Sequence, residues 1–236
     1  MNLYDFIKKT SVTEFAKYLD HTLLKPNASY KDLEKAIEDT YKYGFACLVV
    51  PPSLVSKARE IASGNVRLAT VIGFPLGNTF TEIKVEEARL AIDRGVKEID
   101  MVMNINLFKS GLYDKVLEDI KAVVNVAKEY GDIIVKVIIE TGLLSDEEKV
   151  RAAQIVVESG ADFVKTCTGF VAGRATIHDV MLLSRTVKGK IGVKASGGIR
   201  HAADAISMIM AGASRIGTST APQIIEEFIK LKNEIK

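Results

Sequence analysis

The chain is poor in the residues that hold metals. It has only two cysteines, Cys47 and Cys167, far apart, and its three histidines, His21, His178 and His201, form no HxH or HExxH pair. A protein-borne catalytic metal and a disulfide framework are therefore not expected, and both cysteines read as free thiols. No stretch approaches the ~18 uninterrupted apolar residues of a membrane span. Met1 to Phe15 lacks the sustained apolar core of a secretion signal, so a cytoplasmic protein is expected. Neither sign of charge dominates: 32 basic and 30 acidic residues are interspersed, for a formal net charge of +2. That leaves no electrostatic footprint for nucleic acid or a membrane surface, whereas a small phosphorylated molecule would need only a local basic site. Low-complexity segments and Pro/Gly-rich linkers are also missing, so residues 1–236 are expected to form one domain.

What is present is a repeat of strand and helix signals. Seven glycines, Gly44, Gly64, Gly95, Gly131, Gly160, Gly189 and Gly212, each stand just before a short apolar segment. Glycine tolerates the left-handed conformation that closes many helices, so each can end one helix and release the next strand. The segments are ACLVV (46 to 50), RLATVIGF (67 to 74), EIDMVMN (98 to 104), IIVKVIIE (133 to 140), DFVKTCT (162 to 168), IGVKAS (191 to 196) and SRIGTS (214 to 219), with YLDHTLL (18 to 24) as an eighth. Helical periodicity runs between them, as in Leu33, Ala36, Ile37, Thr40 and Tyr41. Capping boxes are expected at Ser11 with Glu14, Thr79 with Glu82, and Ser145 with Glu148.

Strands this apolar need both faces covered, as parallel strands under helices do. Eight such units favour an α/β fold, a closed (β/α)8 TIM barrel, with Met1 to Thr10 and a short helix capping its floor. A doubly wound open sheet is the alternative, but no glycine-rich dinucleotide loop follows the first strand.

Active sites of such barrels lie at the carboxyl ends of the strands. Asp20, Asp100, Asn104, Lys136, Glu140, Lys165 and Lys194 interrupt the apolar runs there. Buried charges need partners, so a structural ion-pair network is one reading of them all. For Lys136 and Glu140 that reading and a functional one stand level; Asp20 and Thr22 read as supporting residues. Lys165 and Lys194 differ, because they sit near the ends of neighbouring strands six and seven. Two ammonium groups held close would depress a lysine pKa by ~2 to 3, and a neutral amine can attack a carbonyl to form a Schiff base. Position alone does not separate the two lysines. Asp100, on strand four, is placed to pair with Lys194 and move protons. A second signal is glycine-rich: Gly197 and Gly198 after strand seven, and Gly217, Thr218 and Ser219 after strand eight, with Thr168 and Gly169 adding donors. Loops at these places commonly bind phosphate through backbone N–H groups.

DFVKTCTGF (162 to 170), VKASGGIR (193 to 200), EIDMVMN (98 to 104), YLDHTLLKP (18 to 26) and KVIIETG (136 to 142) resemble, in order, the motifs of the deoxyribose-phosphate aldolases. The resemblance runs from about Leu19 to Ser219. It implies Lys165 as the Schiff-base lysine, Lys194 as the lysine that tunes it and Asp100 as the proton-transfer partner, with no metal or organic cofactor. It further implies reversible cleavage of 2-deoxy-D-ribose 5-phosphate to D-glyceraldehyde 3-phosphate and acetaldehyde, by a homodimer or larger homo-oligomer. Two departures stand out: Cys167 in place of a serine, and Val49, Val50, Pro51 and Pro52 where CVNP is expected. Another Schiff-base sugar-phosphate aldolase, a transaldolase, or a barrel that binds sugar phosphate without catalysis are the competing readings.

Overall fold

A computed structural model describes residues 2–64, 66–171 and 173–235. Eight parallel strands close on themselves in sequence order: β1 (Leu19–Thr22), β2 (Cys47–Val50), β3 (Leu68–Ile72), β4 (Glu98–Val102), β5 (Ile134–Ile138), β6 (Phe163–Lys165), β7 (Gly192–Ser196) and β8 (Arg215–Thr218). Two short helices, α1 (Leu3–Lys9) and α2 (Val12–Ala16), precede β1. The barrel is wrapped by α3 (Tyr30–Tyr43), α4 (Val55–Ala62), α5 (Thr81–Asp93), α6 (Ile105–Lys109), α7 (Tyr113–Glu129), α8 (Asp146–Ser159), α9 (Ile177–Val187), α10 (Ala202–Met210) and α11 (Ala221–Glu234).

All seven punctuating glycines take positive φ, and Gly44 (φ 68) and Gly160 (φ 78) themselves cap α3 and α8. The capping boxes at Ser11 and Ser145 form, and a further one joins Ser29 to Asp32. The one expected at Thr79 does not: the helix start falls one residue later, with Phe80 as the N-cap and no side-chain cap. Thr81 instead donates its hydroxyl to Asp119 of α7 (2.8 Å), which also takes the buried Lys84 (2.6 Å). A tertiary anchor thus overrides the local signal. The amino-terminal cap is two helices rather than one, and both pack on α11: Phe15 stacks on Phe228 (ring centroids 4.0 Å apart), and Lys232 donates to the carbonyls of Ile7 and Thr10.

Alternate residues of each strand face opposite ways. Outward ones, such as Leu48, Val50, Ile99, Met101, Val135, Val137, Val164 and Ile216, join the helices in the main apolar core. Inside the barrel the β2–β3 side is apolar, where Cys47, Val49, Ala69 and Val71 cluster with Leu24 and Phe74. Elsewhere the inward positions include Asp20, Glu98, Asp100, Lys136, Lys165, Lys194 and Arg215, a concentration of charge that makes the barrel interior the place to seek chemistry.

Candidate active site

Asp100 stands at the centre of the interior. Its Oδ1 accepts from Lys136 (2.9 Å), directly opposite on β5, and its Oδ2 accepts from both Lys165 (2.7 Å) and Lys194 (2.6 Å). The two latter lysines are register partners across β6 and β7, as strand order requires. Lys194 also lies 2.7 Å from Asp20 Oδ2 as an ion pair. The opposite oxygen of Asp20 accepts from Arg215 Nε (2.7 Å), and Arg215 Nη2 donates to Glu98 (2.9 Å). Glu98 in turn lies 2.6 Å from Lys136. Asp20, Cys47 and Glu98 bring three potential metal-ligand atoms together, but the guanidinium of Arg215 already sits among them, 3.4 Å from the Cys47 sulfur.

These charges have unequal consequences. Burial strongly disfavours the carboxylate of Asp100, yet Lys136, Lys165 and Lys194 together hold its pKa well below the usual range. Burial likewise opposes the ammonium of Lys194, but Asp100 and Asp20 overcome it and raise its pKa. Lys136 is raised in the same way by Asp100 and Glu98. Lys165 alone among the three is depressed, to about 8. The expected cause, a neighbouring ammonium, contributes but is not the largest. Burial is the largest influence, Asp100 opposes it, and Lys194 adds to it. At pH 7 roughly a tenth of such an amine is neutral, about two hundredfold more than for a lysine in water.

Access separates the lysines further. A cavity of about 240 Å³ opens at the carboxyl ends of the strands, and Lys165 lines it while Lys194 and Asp100 lie behind. Its walls include Thr22 and the expected loops: Thr168 and Gly169, Gly197 and Gly198, and Gly217, Thr218 and Ser219. Among the described residues, the N–H groups of Gly169, Gly197, Gly198 and Ser219 bond to no other protein group. Thr168 departs from its expected part as a donor, because Glu140 takes both its N–H (3.0 Å) and its hydroxyl (2.6 Å). The Thr218 hydroxyl is committed too, to the carbonyl of Ile199 (2.8 Å). Glu140 takes a left-handed conformation (φ 52) unusual for a non-glycine residue, and the loop carrying Thr168 hangs from its carboxylate. Gly217 has a packing reason: a Cβ there would come within 3.1 Å of Lys194 Cε. Asn104 is a helix cap, accepting from the Leu107 N–H (3.1 Å).

Several site residues escaped the sequence reading. Lys25 and Arg200 put two cations on the cavity wall, where recognition mainly by backbone donors was expected. Both lie within quoted motifs, just past a strand end, and that position was the available signal. Arg215 and Glu98 sit at the starts of their strands, away from the carboxyl ends that the barrel rule singles out. Leu24 and Phe170 add apolar surface, Phe170 resting edge-on against Phe74 (centroids 5.2 Å apart).

Comparison with known proteins decides the lineage. Residues 14–222 match the family described as DeoC/LacD family aldolase. This chain belongs to that family of aldolases. A deoxyribose-phosphate aldolase of Caldanaerobacter subterraneus subsp. tengcongensis is 51% identical over 224 residues, covering 94% of this chain and 97% of the relative. One of Thermococcus gammatolerans is 51% identical over 216 residues, covering 90% and 96%. The deoxyribose phosphate aldolase of Aeropyrum pernix, described as having a unique tetrameric structure, superposes with a TM-score of 0.90 at 35% identity, covering 97% of this chain and 96% of the other. The likeness to these aldolases therefore spans the barrel as a whole, including every strand that contributes to the cavity. Among the described residues, no helix is long and apolar enough to cross a membrane.

Proposed function

We propose that this aldolase cleaves 2-deoxy-D-ribose 5-phosphate reversibly to D-glyceraldehyde 3-phosphate and acetaldehyde, with Lys165 as the Schiff-base nucleophile. The observation that carries the assignment is that Lys165 is the interior amine reaching the cavity, and the one whose burial is not offset by enough carboxylate. Its neutral form adds to the C1 aldehyde of the open-chain sugar, and loss of water leaves an iminium. The iminium withdraws electrons from the C2–C3 bond as the C3 hydroxyl gives up its proton, so the bond breaks and glyceraldehyde 3-phosphate departs. The enamine left on Lys165 takes a proton at C2, and hydrolysis releases acetaldehyde. Asp100, which accepts from both Lys165 and Lys194, and Lys194 itself are the groups placed to pass these protons. The free N–H groups of the glycine loops, with Lys25 and Arg200, would hold the 5-phosphate. Apolar Leu24 and Phe170 offer nothing to a second phosphate, which weighs against a bisphosphate substrate.

Incubation with 2-deoxyribose 5-phosphate in the presence of a chelator should release acetaldehyde. No release, or release only after a divalent metal is restored, would refute this reading. Two buried thiols suit the reducing cytoplasm, and a homodimer or larger homo-oligomer is expected on sedimentation.

Phosphate recognition yields its own expectation. A Cβ on Gly198 would fall 2.9 Å from Arg174 Cδ, at φ +78, so Gly198→Val must shift the loop. KM for deoxyribose 5-phosphate should rise about 10- to 100-fold, the worth of one hydrogen bond to a charged group. KM for unphosphorylated deoxyribose should change little; equal losses for both sugars would mean that the substitution merely damages the barrel.

A further inference from the structure

The interior charges form a closed ring of alternating sign. Asp20, Arg215, Glu98, Lys136, Asp100 and Lys194 follow one another and return to Asp20, each within ion-pair distance of the next. Three carboxylates face three cations in that ring, so it is neutral by itself. Arg67 adds a further cation to Glu98 from outside (2.6 Å), but its side chain is 42% exposed, so water screens it. Lys165 hangs outside it as a fourth cation, on an Asp100 oxygen that Lys194 already shares. Every ring side chain is at most 12% exposed, so solvent can do little to screen an imbalance.

We propose that Arg215 and Glu98, at the floor of the barrel and out of reach of substrate, are positioning residues that set whether Lys165 carries a proton, by fixing the charge balance of this ring. The inference rests on Lys165 being the nucleophile. The physical reason is a count of charges. With the ring complete, a proton on Lys165 makes the interior one positive charge in excess. Without Arg215 the ring has three carboxylates and two cations, and a protonated Lys165 becomes the cation that restores neutrality. Without the Glu98 charge the excess doubles, and the proton is driven off. The other groups stay in place in both cases: Asp100 on β4, Lys136 on β5 and Lys194 on β7 around Lys165, Asp20 on β1 and Cys47 on β2 beside Lys194, Arg67 on Glu98, Lys25 and Arg200 at the mouth, and Glu140 bonded to Thr168. The direction of change for Lys165 in this structure, downward where Lys136, Lys194 and Arg215 all move upward, agrees with its being the surplus cation.

The test measures the pH dependence of acetaldehyde trapping by cyanoborohydride, with the ethyl adduct mapped by peptide analysis. In the unaltered protein the adduct should lie on Lys165 and its rate should reach half-maximum near pH 8. Arg215→Met should move that midpoint up by about one pH unit or more, the size of shift a buried charge imposes. Arg215→Lys, which keeps the charge, should bring it back. Glu98→Gln should move it down. A role limited to folding would lower stability in both variants but would not shift the midpoint in opposite directions. Midpoints that stay put, or move the same way in Arg215→Met and Glu98→Gln, overturn the proposal while leaving the Schiff base on Lys165 intact. An adduct on a different lysine overturns the nucleophile assignment and this inference together. Should Arg215→Met fail to fold, the near-isosteric Glu98→Gln decides alone: a downward shift supports the inference, and any other result defeats it.

Discussion

Lys165→Arg abolishes both turnover and reductive trapping with acetaldehyde. The substitution keeps a cation against Asp100, so the interior ion pairs persist, and loss of activity cannot be blamed on an unpaired carboxylate. A guanidinium stays protonated at any working pH and offers no lone pair to a carbonyl. Removing a covalent nucleophile outright should lower kcat by at least ~10⁴-fold, on the scale seen when other nucleophilic enzymes lose theirs. The measurement is acetaldehyde release together with mass mapping of the trapped adduct. Persistent turnover in Lys165→Arg would end the Schiff-base mechanism on this residue, and an adduct appearing on Lys194 would reverse the two lysines. The difference in access argues against reversal: Lys194 is wholly buried behind the cavity wall, tied to two carboxylates.

The second large effect is expected at Asp100. Asp100→Asn keeps the shape but cannot exchange a proton, and turnover should fall by ~100- to 10,000-fold, the usual contribution of a general acid or base. Stability should fall too, because three ammonium groups converge on this carboxylate and lose its charge. Breaking a buried charge pair costs about 3–5 kcal/mol, although loss of the Lys165 proton will relieve part of that. The pH dependence gives the sign. The folded-state pKa of Asp100 lies well below its unfolded value near 3.9, so its stabilisation is complete above about pH 4 and is withdrawn as pH falls through the folded value. Melting curves should therefore show that the variant is destabilised at neutral pH and that the gap to the unaltered protein narrows in acid. Near-normal turnover with the same loss of stability would make Asp100 a structural partner alone.

The two departures from the family pattern have different weights in the structure. Cys167 is buried, its sulfur 3.3 Å from the Thr141 hydroxyl, so it takes a polar contact that a serine would also make. Val49 belongs to the apolar patch inside the barrel and Pro51 leads into the short turn Pro52–Leu54. No polar side chain of that segment lines the cavity.

Much of this arrangement was legible along the chain. Glycines at helix ends and apolar runs of strand length fix eight alternating units, because each signal is local: one residue's φ, or one strand's two covered faces. Strand alternation then puts Lys136, Lys165 and Lys194 on inward faces, and sequential strand order makes the last two neighbours. The Thr79 box failed for the complementary reason, since a buried Asp119 reached from another helix outcompeted a local cap.

What the amino-acid order by itself determined was the barrel, its polar strand ends and the two lysines facing each other across β6 and β7. Which lysine is exposed to substrate, and why its amine loses its proton, depended on the fold. Arg215 reaches Asp20 across 195 residues, and Lys194 reaches Asp100 across 94. Burial, the largest influence on Lys165, is not a property of any segment. Desolvation and charge balance are sums over everything nearby in space, and only closure of the barrel brings those terms together.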